Sequence, residues 1–465
     1  MSDWASQDLA TLHVDDSRRT ARAQHMVTAM AEHPQGSVPQ VFKTHAEIRA
    51  AYRLLSSEAL TPEAVVAALR DACVARVAEN SVVLALHDTT SFNFTHHPGT
   101  LGRGPLAEPH VLGFLAHSVL AASAQGVPLG VLHQKQWARD PDAERTSSKR
   151  HQRPFADKES FRWVEGLQVV HEHIPADTTV INIADREGDI YEVFAQPRPK
   201  NSELLIRSCY DRCLEGGGQQ LYQTVEAQPV IGDMNARVRL RPDRKPKDTC
   251  LQLRHCTVTL RAPSYRVEKV ELAPVTLTAI LVTEKRSPEG RKLIRWLLLT
   301  TLCVTSLDDV RRIVTYYTRR WLIERFHYTL KSGCRIEQSQ LREVARLGRL
   351  LALYCVVAWR LLWLLYLSRA EPDCPCVVAL SDQEWRLLYL AWQHLHHLDA
   401  PLPLTPPPLS EAVRRIAQLG GFIGRKGDGD PGVQTLWRGL TRLQDIVLGA
   451  MLVTQQQPDQ DVCNA

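Results

Sequence analysis

The sequence lacks several features that would assign it to a specialised class of protein. It contains no repeat of fixed period and no Gly-x4-Gly-Lys-Ser/Thr loop, so neither a repeat protein nor a nucleotide hydrolase is indicated. Its 24 glycines and 27 prolines in 465 residues exclude a collagen-like or low-complexity chain. The net charge of +5 is too small for a histone-like protein but is compatible with a polyanionic partner.

Features of secreted and zinc-ribbon proteins are also missing. The opening residues, MSDWASQDLA, contain no basic segment followed by an apolar one, which a secretory signal requires. The 11 cysteines are odd in number and scattered, as is typical of free thiols in a reducing compartment. Cys209 with Cys213, and Cys250 with Cys256, do not have the spacing of a zinc ribbon. We therefore expect a cytoplasmic protein.

One long apolar run, LLALYCVVAWRLLWLLYL, occupies residues 350–367. Its length reaches the threshold for a membrane span, so a membrane helix is one interpretation. Arg360 near its middle would make insertion into a bilayer costly, and a charged helical pattern leads into the run without a break. We favour a helix buried in a large protein core and expect no membrane partner.

The order of the predicted elements indicates an α/β fold. Helical patterns fill residues 1–72, and they are followed by a strand-like apolar run at 81–87. A hairpin over 111–137, a helix over 161–174 and a second buried strand at 178–184 come next. Strands and helices in this order predict helices packed on a mixed sheet.

The remaining sequence predicts an insertion and a helical end. Segments between about 202 and 300 are rich in β-branched residues, which favours strands inserted into the α/β domain. A helical pattern then returns and continues to about 370. We predict three regions: a helical domain at 1–72, an α/β domain at 73–370, and a helical region with a disordered tail at 371–465.

Acidic residues follow the two predicted buried strands. Asp88 comes after the first strand and Asp185 after the second, each before a polar, turn-forming segment. Reactive groups gather at strand ends in α/β sheets, and carboxylate oxygens are the ligands that Mg²⁺ prefers. A turn or capping role for either residue is the alternative.

A helical segment farther on carries polar side chains on one face. Tyr317, Arg320, Glu324 and Lys331 fall within about 60° of each other on a helical wheel. Glu324 could complete a three-carboxylate metal site, while the two cations could hold phosphate oxygens. A solvated face stabilised by ion pairs is the alternative interpretation of the same pattern.

These residues, taken together, resemble a known enzyme family. The segments HDTTSF and INIADREGDI and the pattern Tyr-x2-Arg-x3-Glu-x6-Lys are similar to those of bacterial DDE transposases of the insertion-sequence-four family. The likeness covers almost the whole chain. It includes DDSRRTAR and AYRLLSSEALTPEAV near the start, PLGVLHQ and WLLLT in the middle, and AQLGGFIGRKGDGD and LWRGL near the end.

The resemblance implies a ribonuclease-H-like catalytic core with an inserted β-rich subdomain. The N-terminal domain would then bind the transposon end, and the C-terminal region would carry much of the dimer contact. Asp88, Asp185 and Glu324 would be the catalytic residues and the ligands of Mg²⁺, with Mn²⁺ as a substitute. Two such ions can clamp the attacking and leaving oxygens of a phosphodiester displacement.

The resemblance also implies residues that contact DNA. Tyr317, Arg320 and Lys331 would grip phosphates, Trp296 would stack on a flipped base with Arg207 beside it, and Arg22 and Arg53 would contact the transposon end. On sequence alone, a tryptophan before a leucine run favours a core position, and only the resemblance favours the stacking role. Tyr328 departs from the family, which has a lysine there, so the resemblance does not carry that one phosphate contact over to this chain.

A basic stretch in the β-rich insertion adds a candidate DNA contact. Its first arginines alternate like the exposed face of a strand, so a charged, solvated sheet edge is one interpretation. We favour contact with the DNA backbone. The residues concerned are Arg237, Arg239, Arg244 and Lys245.

The expected activity is cut-and-paste DNA transposition. By the resemblance, the enzyme would nick double-stranded DNA at the inverted repeats of the transposon, form and open a hairpin, and join the freed ends to target DNA. A homodimer would hold two ends in a synaptic complex at the bacterial nucleoid. The alternative is a catalytically inactive relative that occupies DNA ends and inhibits transposition.

Overall fold

Helices form the N-terminal part of the protein. The structure, a computed structural model, describes residues 4–42, 44–141, 153–238, 247–263, 272–285 and 294–455. The N-terminal helices are α1 (Trp4–Asp8), α2 (Ser17–Glu32), α3 (Val38–Val41), α4 (His45–Ser56) and α5 (Pro62–Val77). Thr61 caps α5, because its hydroxyl accepts a hydrogen bond from the Ala64 amide at 3.1 Å. The helical prediction for this part is confirmed.

The strands of the described residues form one mixed, ten-stranded sheet. They are β1 (Val82–Asn93), β2 (Gly104–Pro105), β3 (Leu112–Ser123), β4 (Pro128–Trp137), β5 (Thr179–Ala184), β6 (Ser202–Arg207), β7 (Gly232–Val238), β8 (Lys247–Leu260), β9 (Val275–Glu284) and β10 (Arg295–Thr300). The order is β2-β3-β1-β5-β6-β10-β9-β8-β7, and β4 also pairs with β3. The two strands predicted to be buried, β1 and β5, are therefore parallel neighbours.

The predicted hairpin and insertion are both present. Strands β3 and β4 are antiparallel, and Gly126 between them has a φ of 92°, a conformation that glycine adopts without strain. Strands β7, β8 and β9 of the insertion continue the central sheet through β10, which pairs with β6. The insertion thus widens the sheet that carries the acidic residues.

Further helices follow the first strands along the chain. They are α6 (Arg162–His173), α7 (Tyr191–Ala195), α8 (Leu221–Glu226), α9 (Leu307–Thr318), α10 (Trp321–Tyr328), α11 (Val344–Ala370), α12 (Asp382–Leu395), α13 (Leu409–Leu419) and α14 (Val433–Gln455). Helix α6 confirms the helix predicted at 161–174. Helix α11 contains the apolar run at 350–367 and contacts helices from both ends of the chain, among them α2, α5, α13 and α14.

Helix α11 is a core helix. It is long and apolar enough to cross a membrane, but 78% of its most apolar window is buried inside the protein. Arg360 is accommodated within it because its guanidinium lies 4.5 Å from the ring centroid of Trp4 and 4.9 Å from that of Trp363. Burial lowers the pKa of Arg360 to about 10, and the nearby carboxylate of Asp8 opposes this shift. The packing favours the buried-helix interpretation over a membrane span.

Candidate active site

The register of the central strands places two acidic residues side by side. The parallel pairing of β1 with β5 ends at Leu86 opposite Ile183. Continuing this register by two residues brings Asp88 opposite Asp185, across strands that lie about 4.8 Å apart. Their proximity also appears in their electrostatics, since burial and then the negative charge of Asp88 raise the pKa of Asp185.

The two residues differ in where their strands end. Asp185 follows the last residue of β5 as predicted, and its side chain accepts a hydrogen bond from the Glu187 amide at 2.9 Å. The prediction that Asp88 also follows its strand is wrong, because β1 continues to Asn93. The strand persists because its other neighbour, β3, keeps pairing as far as Asn93 opposite Gly113. Asp88 is thus inside β1, at the point where only the β5 side of the strand opens.

The segment that carries the polar helical face is divided into three pieces, whereas one continuous helix was predicted. Helix α9 ends at Thr318, α10 begins at Trp321, and a π-helical turn spans Thr329–Gly333. The first break arises because the amides of Arg319 and Arg320 bond to carbonyls three residues back, which tightens the turn. The backbone stays right-handed through the break, so the polar side chains keep a common direction.

Arg320 and Glu324 bring the helical segment to the acidic pair. Their side chains form a salt bridge within α10 and its N-terminal turn. Burial raises the pKa of Glu324, Arg320 opposes this shift, and the charges of Asp88 and Asp185 add to it. The three predicted carboxylates therefore lie within electrostatic reach of one another, around one guanidinium.

The donor chemistry of these side chains suits a hard divalent cation, but the ligands are not assembled. Carboxylate oxygens are the ligands that Mg²⁺ takes in proteins, and crowded carboxylates gain most from a cation. Among the described residues, no group of three His, Cys, Asp or Glu side chains is arranged closely enough to hold a metal ion. Glu324 is paired with Arg320 through Oε1, so its Oε2 is the oxygen that could serve as a ligand while the pair is kept.

An aromatic pocket adjoins the acidic residues. Trp296 on β10 and Tyr317 on α9 are buried, with ring centroids 5.3 Å apart in an edge-to-face arrangement. Arg207 at the end of β6 donates a hydrogen bond to the Tyr317 hydroxyl. Trp296 therefore packs within the hydrophobic core as well as lying beside the predicted DNA-contacting residues.

Two side chains near Asp88 come from the segment after Glu324. Lys331 lies on the π-helical turn with its ammonium 5.6 Å from the Phe92 ring centroid, and burial lowers the pKa of this lysine. His327 was not predicted, yet its Nδ1 lies 3.4 Å from an Asp88 carboxylate oxygen. The signal was available, since His327 follows Glu324 by three residues and so shares its helical face.

A second residue that sequence reasoning missed is Arg162 on α6. Its Nε donates to the Thr89 hydroxyl at 2.9 Å, and its Nη2 lies 3.2 Å from the Glu187 carboxylate. Thr89 and Glu187 flank the acidic pair, so Arg162 bridges β1 to the turn after β5. No sequence pattern pointed to it, because the contacts are long-range.

Tyr328, the departure from the family pattern, faces the C-terminal region. Its hydroxyl accepts a hydrogen bond from Gln434 on α14, and the Arg325 guanidinium lies 4.9 Å from its ring centroid. The side chain thus joins α10 to α14 where a lysine would carry a charge.

The remaining predicted DNA contacts are spread over other elements. Arg22 lies half-buried on α2, and Arg53 is exposed on α4. Arg237 on β7 is exposed, with its Nε 3.9 Å from an Asp248 carboxylate oxygen. Arg239, Arg244 and Lys245 lie outside the described residues.

Comparisons with known proteins identify the family. Residues 1–60 match the model of a transposase DNA-binding domain, and residues 144–360 match that of a transposase DDE domain. Residues 356–457 match the model of the Tn5 transposase dimerisation domain. The DDE match contains Asp185 and Glu324 but begins after Asp88. Three transposase domains in this order show that the chain belongs to the Tn5-like DDE transposases, enzymes of DNA transposition.

Proposed function

We propose that Asp88, Asp185 and Glu324 are the catalytic carboxylates with which this transposase cuts DNA at the ends of its transposon. The observation that carries this proposal is their convergence: three acids far apart in the sequence share one electrostatic environment beside a cationic pocket. Placing ionised carboxylates this close together costs free energy. Such an arrangement is expected where a bound cation or substrate offsets that cost. The matched DNA-binding domain supports double-stranded DNA as a partner, and the matched dimerisation domain supports a second copy of the chain.

The chemistry proposed is a series of in-line phosphoryl transfers. Divalent ions, Mg²⁺ or Mn²⁺ held by the three carboxylates, would activate the attacking oxygen and stabilise the leaving one. Arg320 and Lys331 are placed to hold phosphate oxygens of the cleaved strand. Arg320 would change partner from Glu324 to phosphate, which frees that carboxylate.

The later steps follow from the aromatic pocket and the dimer. We propose that the freed 3′-hydroxyl attacks the opposite strand to give a hairpin, with Trp296 stacking on a flipped base beside Arg207. Opening of the hairpin leaves 3′-ends that join target DNA. Two ends are processed together in a synaptic homodimer, in which Arg22 and Arg53 contact the end sequence. Arg237 and its basic neighbours would follow the DNA backbone.

The inactive DNA-end-binding alternative is less well supported. A protein that only binds DNA ends does not need an acidic site. All three carboxylates are nevertheless present, together with Tyr317, Arg320 and Lys331. The matched DNA-binding domain at residues 1–60 also argues against a shortened inhibitor.

The test is cleavage of a labelled duplex that carries the inverted repeat flanking the gene. We expect Glu324→Gln to abolish nicking in Mg²⁺ while end binding stays unchanged, since the substitution removes one charge and little volume. Asp373→Asn, a change at an exposed carboxylate, is the matched control and should nick at the wild-type rate. Wild-type cleavage by Glu324→Gln would disprove the assignment. Binding without nicking by the wild-type protein, in Mg²⁺ and Mn²⁺ alike, would favour the inhibitor.

A further inference from the structure

The loop that follows β6 is fixed by a buried aspartate. Asp189 is 1% exposed, and one of its carboxylate oxygens accepts hydrogen bonds from the amides of Cys209 and Tyr210, at 2.6 and 3.1 Å. Its other oxygen accepts two hydrogen bonds from the Arg212 guanidinium, at 3.1 and 2.6 Å. A surface loop held by this many charge-assisted bonds is rigid before any ligand arrives.

This rigid loop presents an aromatic ring to solvent. Tyr210 is 59% exposed, although its backbone is held in place. The Arg212 guanidinium lies 5.4 Å from its ring centroid and supports the ring from one side. In the described part of the chain, Arg212 is the only cation or aromatic ring stacked against the Tyr210 ring. The ring is thus oriented in advance and open to a flat partner.

The loop begins beside the candidate active site. Arg207, which bonds to Tyr317 in the aromatic pocket, precedes Tyr210 by three residues. Three residues span at most about 11 Å, so Tyr210 is close to Arg207, which in turn lies near enough to Asp185 to affect its pKa.

Arginines also lie near the same loop. Asp211 accepts a hydrogen bond from the Tyr222 amide at 2.8 Å, which ties the loop to α8. The Arg295 guanidinium lies 5.1 Å from the Tyr222 ring centroid and forms a salt bridge with Glu226, while Arg186 and Arg207 act electrostatically on Tyr222. Arg186 and Arg207 are therefore the cations near Tyr210 that phosphates of a passing DNA strand could meet.

We propose that Tyr210 is a base-stacking platform, which holds an unpaired nucleobase of the DNA strand next to the cleaved phosphodiester. The proposal rests on the function proposed above, since it needs DNA at the acidic residues. Stacking on aromatic side chains is tolerant of base identity, so the platform would hold whichever base is unpaired there. Tyr210 would act by positioning the strand.

Photo-crosslinking of the full-length protein tests this directly. The probe is an end duplex with 5-iodouracil placed in turn at each of the three nucleotides on either side of the nick. We expect one position to crosslink to Tyr210, as located by mass spectrometry of the peptides, and Tyr210→Phe to keep that crosslink at residue 210. Tyr210→Ala should lose it and bind the nicked end about tenfold more weakly. Cys209→Ala, at an exposed neighbour without a ring, should behave as wild type.

The outcomes separate this proposal from the function on which it rests. Crosslinks only to other residues, or unchanged affinity of Tyr210→Ala for the nicked end, would overturn the platform even if the wild-type protein cleaves normally. Glu324→Gln should still crosslink through Tyr210 although it does not nick. Failure of the wild-type protein to nick would instead count against the proposed function.

Discussion

At the scale of single residues, the closely spaced negative charges of the acidic site lower the stability of the folded protein. Burial and the charge of Asp88 raise the pKa of Asp185 above 3.8. A carboxylate of this kind adds stability below its unfolded pKa, and that stability is lost as the pH rises through its folded pKa. At neutral pH without divalent ions, we therefore expect Asp185→Asn to raise the free energy of unfolding by on the order of 1 kcal/mol.

Differential scanning calorimetry in EDTA and in MgCl2 measures this effect. Mg²⁺ should raise the Tm of the wild-type protein more than that of Asp185→Asn, because binding to the folded state is stabilising. Asp373→Asn is the control and should respond to Mg²⁺ like the wild type. A lower Tm for Asp185→Asn in EDTA would contradict the charge argument.

Trp296 belongs to the same scale, because it both packs and is proposed to stack. It is 8% exposed, so Trp296→Ala removes core volume and should cost about 3–5 kcal/mol of stability. We expect this variant, assayed well below its Tm, to retain nicking while hairpin formation falls. Trp296→Phe keeps a ring and should recover part of the hairpin yield on a denaturing gel. Equal loss of nicking and hairpins in Trp296→Ala would indicate packing alone.

At the scale of elements, the strands around β1 enclose uncharged histidines. Burial lowers the pKa of His133 on β4 to about 4, and burial also lowers the pKa of His117 on β3 well below its usual value. The stability that such a histidine supplies is present above its unfolded pKa of 6.5 and is lost as the pH falls toward 4. Each therefore makes the protein less stable in mild acid.

The prediction concerns the slope of stability against pH. Between pH 7 and pH 5, protonation linked to His133 alone should lower the free energy of unfolding by about 2 kcal/mol. In His133→Gln, the free energy of unfolding should therefore fall by that much less over the same pH range. Urea unfolding at a series of pH values measures the slope. His110→Gln, at an exposed histidine, should leave it unchanged. An identical slope for His133→Gln and the wild type would show that this histidine is not held neutral.

Elements also show how far sequence reasoning reached. The strand ending at Asp185 and the helix at 161–174 were predicted, because local apolar patterns determine them. The extension of β1 through Asp88 depends on its pairing with β3, which no local pattern reveals. The break before Trp321 is local, because the Arg319 and Arg320 amides bond to carbonyls three residues back, but the polar pattern of the segment does not show it. Asp88 and Glu324 were still candidates from sequence, Asp88 because it follows an apolar run and Glu324 because it shares one helical face with other polar residues.

At the scale of the whole molecule, the C-terminal region offers a surface for the second copy. Leu448, Met451 and Leu452 lie on one face near the end of α14 and are 39%, 47% and 53% exposed. The matched dimerisation domain includes this helix. We expect Leu448→Glu with Leu452→Glu to give a monomer that binds single ends but fails to cut two ends together.

Sedimentation velocity and a two-end cleavage assay measure this prediction. Leu404→Glu places the same charge on a leucine that is 99% exposed in the proline-rich connection, and it should leave a dimer. A dimer that survives the double substitution, or one that Leu404→Glu disrupts, would place the contact elsewhere in the C-terminal region.

The widened sheet was the large-scale feature that sequence reasoning could not supply. Alternating residues predicted strands between 202 and 300, but the pairing of β10 with β6 joins segments almost a hundred residues apart. The same pairing places Trp296 and Arg207 on neighbouring strands. The pairing of these strands thus places residues of the insertion near the acidic site. Only the family resemblance had implied this position.

Helix α11 has a consequence for attempts to divide this protein into modules. It contacts α2 and α5 from the N-terminal part of the chain, α13 and α14 from the C-terminal part, and strand β4. A shortened protein that lacks either pair of helices would expose leucine side chains of α11 to water. Exposed apolar surface of this kind promotes aggregation and binding by chaperones. Any natural or engineered fragment must therefore bury the apolar surface of α11 in another way, and we expect truncation at either terminus to reduce solubility before it alters DNA specificity.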